Sequence, residues 1–177
     1  MRMPGRFVVR LLVHSGAATL VEFAFVAAPL IALLLAALQI SLVFFAQQCL
    51  DTTGEQAERL LMTGSAQKSG FTQAQFSAAV CAKLPPYMSC PNVMIDVQVV
   101  SDFASANTAA PTITYDSHGN VSNKWTYKPG APGEITVLRL MYAWKVSKTP
   151  FGFDLSTIAA GQRLLVSTMV FKTEPYQ

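Results

Sequence analysis

Glu22-Phe-Ala-Phe-Val-Ala-Ala-Pro-Leu-Ile-Ala-Leu-Leu-Leu-Ala-Ala-Leu-Gln-Ile-Ser-Leu-Val-Phe-Phe-Ala46 is the stretch that decides the architecture of this chain. After Glu22 it runs 24 residues, from Phe23 to Ala46, without a charge. As a helix it reaches ~36 Å at about 1.5 Å per residue, enough to cross a hydrocarbon core of roughly 30 Å. An acid at the mouth of such a run is costly unless it snorkels to the headgroups or meets a partner. Glu22 is therefore either a boundary residue at headgroup level or a functional carboxylate, and the apolar run alone does not choose between them.

The rest of the composition agrees with an anchored protein. The chain has 177 residues, enough for one span and one small domain. Charged residues make up 13%, against a usual ~25%, and the mean hydropathy is +0.35. The net charge of +3 is small and unevenly placed, with Arg2, Arg6 and Arg10 preceding the first acid, Glu22. Under the positive-inside rule the N-terminus stays cytoplasmic and everything after Ala46 is exported. A cleaved secretory signal also has a basic start and an apolar core, but that core is only about 7–15 residues long. Ala46-Gln-Gln-Cys49 lacks the leucine and small residues of a lipoprotein acylation site. An uncleaved span is the expectation.

Three cysteines are present: Cys49, Cys81 and Cys90. Cys81 and Cys90 bracket a Pro-Pro turn in the exported part, where an oxidising compartment permits a disulfide. Cys49 lies just beyond the membrane exit and reads as a small apolar residue of a helix, with an intermolecular bridge as the alternative. No metal site is expected. The only histidines are His14, in the basic leader, and His118, in a turn-forming Asp-Ser-His-Gly-Asn sequence.

Along the chain, residues 1–17 form a basic leader, residues 18–64 a transmembrane and amphipathic helix, and residues 65–177 an exported α+β domain. Beyond the membrane edge, Leu50, Thr53, Gly54, Ala57, Leu60, Leu61 and Gly64 recur every three or four residues, which predicts a helix face packed on a domain. Pro29 bends this helix or leaves a carbonyl for a neighbour, as membrane helices tolerate. Gly64-Ser65 is its stop. Thr72 and Gln75 form a weak capping box before Phe76, Ala79, Val80 and Leu84, and this second helix ends at Pro85-Pro86. Val93 to Val100 alternates as a strand with one buried face. Thr112–Tyr115 and Val121–Tyr127 flank the turn at 116–120 as a hairpin. Glu134–Val146 is a long strand, a short helical turn follows near Leu155–Ala159, and Leu164–Lys172 closes the sheet. The expected fold is a long helix followed by a helix lying over about four antiparallel strands.

Catalysis finds little support. His118 is the only exported histidine, and a Ser or Cys nucleophile has no base and orienting group beside it in any recognisable pattern. Asp96, Asp102, Asp116, Glu134 and Asp154 are scattered, and no glycine-rich loop opens a helix after a strand. Trp125, Tyr127, Tyr142, Trp144, Phe151 and Phe153 are read as core, with a carbohydrate or partner platform as the alternative. The chain is therefore expected to have no catalytic residues, no cofactor, no metal and no nucleic-acid partner.

A basic leader, a small-residue junction, a nearby carboxylate, one long helix and a C-terminal sheet describe the type IV pilin plan. More specifically, Gly16-Ala-Ala-Thr-Leu-Val-Glu-Phe-Ala24 followed by Pro29 resembles the TadE/TadG-like minor pseudopilins of the tight-adherence (Flp) system. Cys81-Ala-Lys-Leu-Pro85 with Cys90, Lys128-Pro-Gly-Ala-Pro-Gly-Glu-Ile-Thr-Val137, and Arg163-Leu-Leu-Val-Ser-Thr-Met-Val-Phe-Lys-Thr-Glu-Pro175 also resemble that family. The resemblance implies processing by a prepilin peptidase at Gly16, Ala17 and Ala18. Counting the glutamate as the fifth mature residue places the cut after Ala17; a glycine before the cut places it after Gly16. It further implies that Glu22, with Phe23 beside it, pairs with the new N-terminal amine of a neighbouring subunit during assembly. The implied partners are the major Flp-type pilin, other minor pseudopilins, the inner-membrane assembly platform and the bilayer. The implied location is the bacterial inner membrane with a periplasmic domain, with incorporation into the pilus itself as the alternative. The competing hypothesis is an unprocessed single-span protein whose exported domain binds an envelope partner or ligand.

Overall fold

The expected long helix forms, and its two halves meet different surroundings. A computed structural model describes residues 15–146 and 153–176. Helix α1, Ser15–Met62, runs unbroken through Pro29. Its most apolar window buries nothing inside the molecule, and by length and composition it can cross a membrane. From Val43 onward the same helix turns a face inward: Val43, Ala46, Leu50, Thr53, Ala57 and Leu61 are buried, spaced by three and four residues. Gly54 lies on this face, where an added methyl would collide with the end of the Met169 side chain and lie 3.2 Å from Ser167 Oγ. The absent side chain lets the helix approach the sheet closely.

The end of α1 is closed by partners from elsewhere in the chain. The last carbonyls of a helix have no partner within it. The Leu61 carbonyl accepts from Gln67 Nε2 at 3.0 Å, and the Met62 carbonyl accepts from the Glu174 amide at 2.8 Å. Gly64 then takes φ 70°, the left-handed conformation that favours glycine, and the Tyr176 ring packs where its Cβ would stand. The expected stop at Gly64-Ser65 is thus real, although a four-residue helix, α2 (Ser65–Lys68), follows at once.

Helix α3, Gln73–Cys81, begins with the expected capping box. The Gln75 amide donates to Thr72 Oγ1 and the Thr72 amide donates to Gln75 Oε1. Phe76 and Val80, one turn apart, enter the core. Cys81 at the end of α3 is bonded to Cys90, with the Cα atoms 5.5 Å apart. The bridge ties this helix to the 3-10 turn Cys90–Asn92 that leads into the sheet.

The sheet has three antiparallel strands, β1 (Val93–Val100), β2 (Ile135–Lys145) and β3 (Gln162–Lys172), in that order. Ile95, Leu140 and Ser167 stand side by side on the face toward α1; Asp96, Arg139 and Thr168 stand side by side on the other. The core against α1 collects Ile95, Val97, Leu138, Leu140, Tyr142 and Phe171. The architecture is α+β, a long helix leading into a small antiparallel sheet with short helices.

Three local expectations differ from what forms. The segments at 112–115 and 121–127 make a single bridge to each other, Tyr115 to Val121, and Tyr127 makes one parallel bridge to Val97 of β1, so the sheet has three strands rather than about four. Asn123 explains this: its side chain accepts from the Thr114 amide and donates to the Thr112 carbonyl, taking backbone groups a ladder would need. Strand β1 is covered on both faces, because the β1–β2 connection folds back over it. Thr126 and Lys128 bond the backbone of Val97, and Ile113 and Trp125 pack over Met94 and Met141. Finally, Leu155–Ala159 is not helical. Ile158 bridges back to Gln162 across Ala160 and Gly161, both at positive φ, which makes a tight hairpin turn.

The far face of the sheet carries a buried ion pair. Arg139 Nη1 lies 3.7 Å from Asp96 Oδ2, and both side chains are less than a tenth exposed. Asp96 also accepts from the Thr126 amide at 2.9 Å and from Gln98 Nε2 at 2.7 Å; Arg139 Nη2 donates to the Asn107 carbonyl at 2.6 Å. Removing one partner of such a pair strands the other charge, which costs far more than the pair contributes.

Candidate functional site

The residues singled out for assembly lie on the half of α1 that the domain leaves bare. Gly16, Ala17 and Ala18 lie within the helix, while Arg2, Arg6, Arg10 and His14 lie outside the described residues. Glu22 is exposed and has no ion-pair partner among the described residues. Phe23, next to it, is 72% exposed. Between Leu20 and Leu42, twelve large aliphatic or aromatic side chains are exposed. At roughly 1.5–3 kcal/mol for each such side chain, leaving this face in water costs on the order of tens of kcal/mol. A patch of this size requires lipid or protein around it.

Beside Glu22 the helix surface has a shallow hollow formed by Leu20, Val21, Ala24, Phe25, Ala28 and Pro29. The alanines lower the surface between larger neighbours, the relief by which one membrane helix admits another. Pro29 has no amide to give, so the Phe25 carbonyl one turn earlier lacks its usual helical donor. Glu22, Phe25 and Pro29 fall on one side of the helix by their spacing. The arrangement places the Glu22 carboxylate, without an ion-pair partner among the described residues, at the rim of a surface with the relief of a helix–helix contact.

The remaining chemistry-bearing residues lie in the domain and on the packed half of α1. His118 is exposed in its turn, where its amide donates to the Asp116 carboxylate at 2.8 Å. Backbone hydrogen bonds, that from Asn120 first, hold the Asp116 carboxyl below the usual carboxylate range; those from Ser105 do the same for Asp102. Glu58 on α1 is pushed up, chiefly by partial burial and then by the neighbouring Glu55. Tyr142 is buried and Trp125, Tyr127 and Trp144 are packed on the cores; Phe153 is exposed and Phe151 lies outside the described residues. Cys49 is half-buried and unbridged, and the Tyr87 hydroxyl donates to its sulfur. Among the described residues no three His, Cys, Asp or Glu side chains gather as a metal site would require.

Two features of this end of the molecule escaped the sequence reading. The loop carrying Tyr87 returns to α1, setting its ring 5.6 Å from that of Phe45. Arg163 stands with Ile40, Val43 and Phe44 around a cleft between α1 and β3. Neither is foreshadowed by a motif, since both depend on which strand packs beside which turn of the helix.

No curated protein and no solved structure matches this chain. A family model does, and it covers the helix rather than the domain: it ends at residue 59, before the segments around Cys81, Lys128 and Arg163. Over residues 16–59, which hold Gly16, Ala17, Ala18, Glu22, the bare apolar half and most of the packed half of α1, the chain matches the model of the TadE-like protein family and bears out that resemblance.

Proposed function

We propose that this protein is a non-catalytic, membrane-anchored minor pseudopilin needed to build a tight-adherence (Flp-type) pilus used in surface attachment. The observation that carries the reading is the exposed carboxylate of Glu22 on a bare apolar helix, within the segment that matches the TadE-like family. In this account the N-terminus is cytoplasmic and the domain periplasmic. The Cys81–Cys90 disulfide supports that orientation, because such bonds persist in oxidising compartments.

A prepilin peptidase cuts after Gly16 or Ala17. The new α-amino group, with an ordinary pKa of about 7.7–8.0, is positive at neutral pH. Glu22 pairs with the corresponding amine of an adjacent subunit, the major pilin or another minor pseudopilin, as the helices leave the bilayer through the assembly platform. The pair neutralises a carboxylate that lipid would penalise, and it fixes the axial stagger of the two helices. Such a buried pair contributes more to register than to net stability. Phe23 and the hollow at Ala24 and Ala28 supply the packing beside it.

The test is the mature N-terminus by mass spectrometry, in cells with and without the tight-adherence prepilin peptidase. The expected result is a peptidase-dependent start at Ala17 or Ala18. An intact Met1 in peptidase-containing cells overturns the processing step and returns the protein to the class of unprocessed anchored binders. Glu22→Gln and Glu22→Leu are expected to insert normally and to abolish piliation; wild-type piliation in both overturns the pairing role.

A further inference from the structure

We propose that the membrane-facing end of the domain holds a phospholipid, with an acyl chain in the cleft between α1 and the start of β3 and the lipid phosphate on the Arg163 guanidinium. This rests on the membrane-spanning reading of α1. Glu22 is the last charge before the apolar run, and about twenty residues of helix cover a hydrocarbon core of about 30 Å. That length places the outer boundary of the core near Leu42. The packing marks the same level independently: Leu42 is still 57% exposed, while Val43 is the first residue of α1 in the buried core. The headgroup layer adds roughly 5–7 Å on each side, about three to five more helical residues. The phosphates therefore lie beside the turn from Val43 to Gln47.

The cleft stands at that height. Ile40, Val43, Phe44 and Gln47 form its helical wall, and Leu155 and Arg163 stand opposite. Its volume is about 300 Å³, at the lower end of the range for small-molecule sites. The lining is mostly apolar, with one cation. Among the described residues the Arg163 side chain makes one hydrogen bond, from Nη1 to the Leu155 carbonyl at 3.4 Å, and no ion pair. A guanidinium offers five N–H donors in a planar fork suited to phosphate, so most remain for a ligand. Lys145, paired with Gln162 at the same end of the sheet, adds positive charge. Asp51, one turn further from the bilayer, is engaged by Gln47 Nε2 at 3.0 Å.

Aromatic side chains mark the same plane. Phe44 and Phe45 are exposed, and Tyr87 packs its ring on Phe45 while remaining 46% exposed. Rings with an apolar body and a polar tip settle at the membrane interface. A lipid in the cleft would join the span to the domain and fix how the domain stands on the bilayer.

The experiment uses the full chain in nanodiscs of phosphatidylglycerol, released into native mass spectrometry. The wild-type chain is expected to retain phosphatidylglycerol. Arg163→Gln is expected to lower that retention about tenfold or more, the loss of one charge-assisted phosphate contact. Ile40→Trp, which fills the cleft from its helical wall, is expected to do the same with every sheet residue unchanged. A photo-crosslinking residue in place of Phe44 is expected to give a lipid adduct. Equal retention in all three chains overturns the site, as does an adduct to a second copy of the chain in place of lipid. A chain that is not incorporated into the discs at all refutes the membrane-spanning reading instead, so the two failures are distinct.

Discussion

Replacing Leu50 by alanine and, separately, Leu38 by alanine removes the same atoms from the two halves of one helix. Leu50 is fully buried against the sheet, whereas Leu38 is 61% exposed on the apolar half. At Leu50 the substitution loses the transfer free energy of the missing atoms and leaves a cavity between α1 and the sheet, together about 3 kcal/mol. That is a large part of the ~5–15 kcal/mol by which a domain of this size is stable. At Leu38 no domain contact is lost, and only a few tenths of a kcal/mol of membrane insertion energy changes. Urea unfolding in detergent micelles, followed by the fluorescence of Trp125 and Trp144, measures the domain alone, because both rings pack on its cores. With an m-value near 1.5 kcal/mol/M, Leu50→Ala lowers the midpoint by about 2 M. Leu38→Ala leaves it unchanged. Equal shifts in the two variants, or no shift in Leu50→Ala, would refute the division of the helix near Val43.

Reducing the Cys81–Cys90 bond, whose partners are nine residues apart, or replacing both cysteines by serine is expected to cost about 2.6 kcal/mol on the chain-entropy account. Coincident urea midpoints with and without reductant would remove that role. Arg139→Leu alone strands the Asp96 charge and is expected to cost about 3 kcal/mol. The double variant Asp96→Leu with Arg139→Leu recovers much of the loss, and equal midpoints for the single and double variants would contradict the pair. The carboxyls of Asp102 and Asp116 are held low in the folded chain, so their contribution is present above the ordinary value of 3.8 and lost as pH falls through the folded values. Acidification is therefore expected to speed hydrogen exchange at the Ser105 and Asn120 amides, after correction for intrinsic rates. Protection that stays unchanged as both carboxyls protonate would mean that these carboxylates do not hold their turns.

Some of this molecule is legible in the order of its residues, for reasons that are local. An uncharged run long enough to cross a bilayer needs no tertiary contact to be apolar. The spacing of Leu50, Thr53, Gly54, Ala57 and Leu61 records which side of a helix is packed, because helical geometry alone brings those positions together. The Thr72–Gln75 box and the stop at Gly64 are equally local, each satisfying groups within a few residues. Glu22 too could be singled out from sequence, because a charge beside a membrane run is conspicuous whatever surrounds it.

Other features depended on which distant segments came together. The alternation in Val93–Val100 implies one open face, yet the β1–β2 connection covers it, since a buried Asp96 finds partners thirty residues away in Thr126 and on the next strand in Arg139. The expected fourth strand is absent because one side chain, Asn123, takes the backbone groups that pairing would have used. The level at which the helix changes from bare to packed is set by where β3 meets it, with Gln47 bonded to the Val166 carbonyl and Gly54 against Met169. Arg163 reaches the cleft between α1 and β3 through that same register. Sequence alone determined the apolar run, the acid and the packed face, because helical periodicity is a property of neighbours along the chain. The tertiary structure alone decided the covered sheet, the buried ion pair and the cleft, because each joins residues whose proximity no local pattern encodes.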